Sequence, residues 1–108
     1  MTNAQPQHVA EVVTFKLNPG ISDDAFLDAM HASHAYISGI EGFLSRQLSK
    51  DKDGTWVDYT IWASMENAMT AAGGFMAQEF APAILEAIDK ESFSMRHQPV
   101  LWAPLKAA

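Results

Sequence analysis

Two histidines and a glutamate are the candidates for proton transfer in this sequence. Imidazole accepts a proton near neutral pH, and both His34 in MHASHAYI and His97 in MRHQP lie among apolar residues. We predict that His34 lies at the edge of a pocket and that His97 points into an apolar space, as the two catalytic residues. The alternative for His97 is a strand histidine that is hydrogen-bonded at a sheet edge. Glu11, a charge within an apolar segment, is a further candidate for a general base.

A metal site is not expected from the histidine spacing. His31 and His34 are one helical turn apart and could present two imidazoles to one metal ion. A metal site also needs a third ligand and hydrogen bonds that hold the ligands in place. His31 falls on the side of its helix opposite the apolar residues, so we predict an exposed side chain and no bound metal.

Aromatic and methionine side chains are the candidates for binding a ligand. Trp62 ends the alternating segment that opens YTIWASMENAM, and it could stack on a flat aromatic or quinone-like ligand or simply pack in the core. Tyr59 has the opposite parity, so both side chains face one cavity only if a bulge intervenes. Flexible apolar residues could complete the lining: Met30, Met76 and Phe80, with Met65, Met69 and Met95 as further methionines.

The composition excludes several classes of function. The chain has 108 residues with 13 acidic and 7 basic side chains, a net charge of −6, and the basic residues form no cluster for a phosphate backbone. The absence of cysteine excludes disulfides, thiolate metal sites and thiol nucleophiles. No apolar run approaches the ~20 residues that a membrane-spanning helix needs, and MTNAQPQHVAEVV lacks a signal pattern. We expect a cytosolic protein that binds neither nucleic acid nor membrane.

The hydrophobic pattern predicts the order β-α-β-β-α-β, which is typical of the ferredoxin-like α+β fold. Ser22 and Ser64 have the residue type and position of helix N-caps. Gly73-Gly74 is expected to interrupt the second helix, which then resumes before Pro82. We predict a flexible tail at 1–7 and one domain at 8–108. The predicted elements are strands at 8–17, 43–50, 55–63 and 92–102, and helices at 23–38 and from 64 to about 89.

Both faces of the predicted central strands carry large apolar residues. Two helices cover only one face, so the other would expose more apolar surface than a soluble monomer usually does. Concealing ~800 Å² per subunit at roughly 25 cal/mol per Å² corresponds to about 20 kcal/mol before association costs. We therefore predict a homodimer that pairs through sheet faces. The alternative is a monomer whose second face is covered by VLWAPLKAA at the end of the chain.

Two more charged residues, Arg46 and Asp58, lie in the middle of predicted strands. A charge in such a position must either reach solvent or be paired with an opposite charge. Because these two strands are expected to be neighbours, we predict an Arg46–Asp58 pair across them with a structural role.

Three motifs resemble the dimeric α+β barrel superfamily and, within it, the antibiotic-biosynthesis-monooxygenase-like group. They are the turn NPGIS, the pair Gly42-Phe43, and the pattern W-x-S-x-E at Trp62, Ser64 and Glu66. The resemblance implies an antiparallel sheet with helices on one face and a dimeric barrel. It also implies oxygenation of a small aromatic or quinone-like compound without a cofactor. The alternatives are a non-catalytic binding or stress-related module for a small apolar ligand, and an isomerase or dehydratase that uses His34 or Glu11.

The haem-degrading branch of the superfamily is disfavoured by the residues of this sequence. Like this sequence, members of that branch have a tryptophan at the position of Trp62. Its asparagine and its histidine iron ligand align with Val12 and Ala72, and the segment from Ser64 to Lys90 contains no histidine. We therefore do not expect haem as a cofactor or substrate.

Overall fold

A four-stranded antiparallel sheet with helices on one face makes up residues 7–103, the part of the chain that the structure, a computed structural model, describes. The elements in chain order are β1 (Val9–Leu17), α1 (Asp23–Ser38), β2 (Phe43–Lys50), β3 (Trp56–Trp62), α2 (Met65–Phe75), α3 (Ala81–Ala87) and β4 (Ile88–Pro99). The sheet order is β2-β3-β1-β4, so the predicted ferredoxin-like α+β fold is confirmed. Residues 1–6 of the predicted tail lie outside the described residues.

α1 forms where the sequence predicts it, because its first turn and its buried side both suit a helix. The Ser22 hydroxyl oxygen accepts the N–H of Ala25 at 3.1 Å, which satisfies one of the unpaired donors at the helix start. Asp23 and Asp24 complement the positive end of the helix dipole. The buried residues recur at three- and four-residue spacing: Phe26, Met30, Ser33 and Ile37.

The predicted Asp-Gly turn joins β2 to β3. Gly54 donates its N–H to the Asp51 carbonyl at 3.2 Å, and its φ of 89° is a conformation that other residues rarely adopt. The Asp51 carboxylate accepts the N–H groups of Asp53 and Thr55 at 2.8 and 2.9 Å. The turn thereby fixes which residues of the two strands lie opposite each other.

The second helical region differs from the prediction that Gly73-Gly74 interrupts it. α2 continues through both glycines to Phe75, and α3 is a separate helix. A side chain at Gly73 would meet open space, whereas one at Gly74 would meet the Tyr36 hydroxyl at 2.5 Å. That hydroxyl donates to the Ala71 carbonyl at 2.7 Å. Glycine at position 74 therefore permits a close approach of α1 to α2 and does not break the helix.

β4 begins at Ile88 instead of residue 92, and it ends at Pro99. The Asn18 N–H donates to the Ala87 carbonyl at 2.8 Å, and the Asn18 side-chain amide donates to the carbonyls of Glu86 and Ile88. These hydrogen bonds hold the chain against the end of β1 as soon as α3 ends. The earlier start of β4 thus depends on a loop asparagine and not on strand propensity.

Two aromatic clusters fill the space between the sheet and the helices. In one, Phe26 packs edge-on against Phe15 and Trp56, with ring centroids 5.4 and 5.1 Å apart. In the other, Trp62 packs edge-on against Phe43 at 5.9 Å. Trp62 is completely buried, so it ends β3 as a core residue under α1 and α2.

The outer face of the sheet is apolar in its centre and polar along its two edges. Residues of β1 and β3 form the centre: Val12, Val57, Tyr59 and Ile61. Polar residues of β2 and β4 are found at the edges: Ser45, Gln47, Ser94, Gln98 and the charged Arg96 opposite Val12. Leu101 and Trp102 are 87% and 82% exposed, so they do not cover this face. Residues 104–108 of VLWAPLKAA lie outside the described residues.

Candidate functional site

A cavity of about 260 Å³ lies between the sheet and the helices. Most of its wall is apolar and comes from all three helices as well as β1 and β4: Met30, Ile37, Phe75, Met76, Ile84, Leu85, Phe93 and Met95. The apolar lining residues that are exposed belong to α2, α3 and β4, so the cavity opens between those elements. Its size and apolar wall are typical of a site for a small organic ligand.

One polar row crosses the whole sheet on the face that the helices cover. It consists of His97, Glu11, Thr60 and Arg46, one residue from each strand, which lie opposite one another in the strand register. Glu11, Thr60 and Arg46 line the cavity. The apolar cavity therefore has a polar inner wall, which can fix the orientation of a ligand.

The carboxylate of Glu11 is held by two side chains. Trp62 Nε1 donates to Oε1 at 3.3 Å, and His97 Nε2 lies 3.0 Å from Oε2. His97 is directly opposite Glu11 in the sheet, whereas Trp62 is a diagonal neighbour on β3. Each carboxylate oxygen has two acceptor positions, so Glu11 can still accept a hydrogen bond from the cavity.

The predicted Arg46–Asp58 pair is present and has ideal geometry. Arg46 donates from Nε and one terminal nitrogen to the two carboxylate oxygens of Asp58, at 3.1 and 2.9 Å. Its other terminal nitrogen donates to the Ser33 hydroxyl oxygen at 3.2 Å. The two charged side chains are only 10% and 14% exposed. A pair of this kind neutralises both charges where water is scarce.

The structure brings some of the predicted site residues together and separates others. His97 contacts Glu11, and Met30 and Met76 line the cavity. Trp62 contacts Glu11 from the core, and it is not among the lining residues. The roles of these residues stay predictions.

The remaining predicted site residues lie away from the cavity lining. Tyr59 is on the outer face, 40% exposed, with no bulge that would bring it to the side of Trp62. His34 is exposed, with its ring 5.8 Å from that of Phe43. Phe80 packs against Phe75 at 5.0 Å, behind the wall of the cavity. His31 is exposed, as predicted.

Sequence reasoning did not place Asp58 and Thr60 in the site. Strand alternation puts both on the same face as Trp62, so the signal was present in the sequence. What alternation cannot reveal is that Glu11 lies opposite Thr60 and His97, because register depends on the turns and on the neighbouring strands.

The two positions considered for the haem-degrading branch lie on different sides of the sheet. Val12 points to the outer face, and the β1 residues that line the cavity are Glu11, Val13 and Phe15. Ala72 does line the cavity. Within residues 7–103, no three His, Cys, Asp or Glu side chains are grouped in a way that could hold a metal ion. In the same range, none of the helices has the length and hydropathy to cross a membrane.

Comparison with known proteins identifies the fold class. No protein-family model matches the chain, and neither does any curated protein. Among solved structures, SnoaB of Streptomyces nogalater, a cofactor-independent oxygenase, matches with a TM-score of 0.66 and 16% identity over 92% of this chain and 96% of SnoaB. The predicted resemblance is thus confirmed at the level of the fold.

Two further solved structures have the same fold. A candidate antibiotic biosynthesis monooxygenase from Bordetella bronchiseptica matches with a TM-score of 0.71 and 14% identity, over 89% of this chain and 99% of that one. NE2512 from Nitrosomonas europaea, a protein of unknown function, matches with a TM-score of 0.68 and 15% identity, over 97% of this chain and 100% of that one.

Proposed function

We propose that the chain is a cytosolic, cofactor-independent monooxygenase of the antibiotic-biosynthesis-monooxygenase-like group that oxidises a small, electron-rich aromatic compound. The observation that carries the proposal is the apolar cavity of about 260 Å³ with the carboxylate of Glu11 in its inner wall. SnoaB, a cofactor-independent oxygenase with the same fold, supports the reaction class.

The proposed reaction needs only a base, a dry cavity and a fixed orientation of the substrate. Loss of a hydroxyl proton gives an electron-rich anion that reacts with dioxygen. One oxygen atom then enters the ring as a carbonyl oxygen, and the other leaves as water. A hydroxyarene plus dioxygen thus gives a quinone plus water, so no external reductant is consumed.

Of the two predicted catalytic histidines, His97 is the one that the proposal uses. Its Nε2 lies 3.0 Å from Glu11, whose carboxylate lines the cavity. His34 is exposed beside Phe43, so a proton-transfer role for it requires a ligand at the protein surface. Alanine variants of each histidine test these two roles separately in an oxygen-uptake assay.

The direct test is oxygen uptake in the presence of a hydroxynaphthalene, with quinone formation followed by absorbance. The expected result is equimolar consumption of oxygen and naphthol. Ala72→Trp fills the cavity mouth and should abolish uptake, whereas Ala83→Trp, at an exposed α3 position outside the lining, should retain it. Equal uptake by both variants would contradict a reaction in this cavity.

The second candidate function is a module that binds a small apolar ligand without turnover. The observation in its favour is that the charged groups around the cavity are already paired, Arg46 with Asp58 and Glu11 with His97. A hydroxynaphthalene that raises the melting temperature without oxygen consumption would support it. A product of unchanged mass, again without oxygen consumption, would support an isomerase instead.

We further propose that two copies pair through their outer sheet faces. The support is the apolar centre of that face, with Tyr59 40% exposed and Val12, Val57 and Ile61 around it. A polar rim around an apolar centre is the usual arrangement of a protein interface. Sedimentation at micromolar concentration should give a dimer, and a monomer there would contradict the proposal.

A further inference from the structure

Among the residues that the structure describes, the inner wall of the cavity presents no free positive charge. All three nitrogens of the Arg46 guanidinium are engaged, two by Asp58 and one by the Ser33 hydroxyl. Ser33 in turn donates to the Met30 carbonyl at 2.6 Å, which fixes its orientation. The charge of Arg46 is thus already balanced by Asp58, so it offers little net attraction to an anionic ligand group.

Glu11 is the acceptor that this wall offers to a ligand. Its side chain is 13% exposed and lines the cavity. The Trp62 indole can only donate, so it donates to one carboxylate oxygen, and His97 Nε2 lies 3.0 Å from the other. Both partners hold the carboxylate in place, and the remaining acceptor positions of its oxygens are available to a ligand in the cavity.

We infer that Glu11 accepts the hydroxyl proton of the substrate, and that the cavity therefore selects uncharged hydroxyarenes and rejects the corresponding carboxylates. This inference rests on the proposed function for its catalytic part, although the selectivity for binding does not. His97 and Trp62 are positioning residues that act through Glu11.

The cavity volume accommodates a ligand of about two fused rings. An apolar cavity of roughly 150 Å³ is sufficient for benzene. At about 260 Å³, this cavity has room for a second ring. The apolar wall surrounds the rings while the hydroxyl group contacts Glu11.

The proton step is simple and balanced. The O–H bond of the substrate breaks, its proton forms a bond to a carboxylate oxygen of Glu11, and the electron pair stays on the substrate oxygen. No electrons leave the substrate in this step. The apolar wall lowers the local dielectric constant, which strengthens the hydrogen bond that precedes the transfer.

The binding part is tested by calorimetry without oxygen, using 2-naphthol, 2-naphthoate and naphthalene at pH 7. The wild-type chain should bind 2-naphthol at least tenfold more tightly than either of the others. Glu11→Gln keeps the shape but removes the charge, so the preference for naphthol over naphthoate should fall to less than threefold. Glu41→Gln, at an exposed position, should leave the preference unchanged.

The catalytic part is tested by separating kcat from KM for 2-naphthol. Glu11→Gln should lower kcat at least a hundredfold. His97→Gln should lower kcat about tenfold at a nearly unchanged KM, because it affects only the position of Glu11. Circular dichroism and an unchanged affinity for naphthalene confirm that each variant is folded.

The outcomes distinguish this inference from the proposed function. Selective binding of 2-naphthol without oxygen uptake contradicts the monooxygenase and supports the selectivity. Oxygen uptake that Glu11→Gln leaves unchanged contradicts the role of Glu11 and supports the monooxygenase. Equal affinity of the wild-type chain for 2-naphthol and 2-naphthoate overturns the inference whatever the uptake assay gives.

Discussion

The two faces of the sheet differ in where their charged and apolar side chains lie. On the covered face Glu11, Arg46 and Asp58 lie beside the aromatic core, whereas Val12 and Ile61 lie at the centre of the outer face. A face on the core is normally apolar, so the three charges are the unusual feature of the covered face. Charges on a covered face cost free energy unless they are paired, and an open apolar centre is the mark of a contact surface. On this basis we propose a ligand for the inner face and a partner for the outer face.

The largest effect is expected on the inner face, when the Arg46–Asp58 pair is broken. Arg46→Ala leaves the buried carboxylate of Asp58 without its partner and should lower the free energy of unfolding by about 3 kcal/mol. Replacing both residues by apolar ones, Arg46→Met with Asp58→Leu, should recover most of that loss. Urea denaturation measures both.

The exposed Lys50–Asp23 pair is the matched control for this experiment. Its side chains are 37% and 48% exposed at the same N···O distance of 2.9 Å. Lys50→Ala should therefore cost at most about 1 kcal/mol. Equal losses for Arg46→Ala and Lys50→Ala would contradict the claim that the inner face holds its charges away from water.

The next largest effect is expected at the centre of the outer face. Ile61→Lys places a charge where the proposed partner packs, and it should raise the dimer dissociation constant at least a hundredfold, or about 2.8 kcal/mol. Ser94→Lys puts the same charge on the polar edge strand of this face and should change the constant less than threefold. Sedimentation across a concentration series measures both, and similar shifts would argue against an interface at this face.

The smallest effect is expected at the adjacent glycines of α2, where the two substitutions should differ in sign. Gly74→Ala meets the Tyr36 hydroxyl and should lower the free energy of unfolding by about 1–2 kcal/mol. Gly73→Ala faces open space and should raise it by about 0.5–1 kcal/mol, because alanine is the better helix former. Thermal denaturation of the two variants is the measurement, and effects of the same sign would show that the covered side of α2 is not tightly packed.

Much of the fold follows from the sequence because its signals are local. The Ser22 cap and the Asp-Gly turn each act within a few residues, so α1 and the β2–β3 hairpin are found at the predicted positions. The two errors involve distant contacts. The glycine at position 74 is explained by the close approach of Tyr36 from α1, and the early start of β4 is explained by hydrogen bonds from Asn18. Neither contact is visible in a local sequence pattern.

The candidate site is predictable only in part, for the same physical reason. Alternation assigns Glu11 and Trp62 to the covered face, and opposite charges at Arg46 and Asp58 suggest their pair. That His97 lies opposite Glu11 depends on the register between the first and last strands, which are 86 residues apart at this pair. His34 seemed suitable by residue type, but its helix turns it to the surface beside Phe43.

The most direct test of the account is a crystal structure of the protein soaked with 2-naphthol. We predict that the two rings occupy the cavity between the sheet and the helices and that the hydroxyl oxygen lies about 2.6–3.2 Å from a carboxylate oxygen of Glu11. A naphthol bound elsewhere, or one inside the cavity with its hydroxyl group turned to the mouth and away from Glu11, would contradict the account.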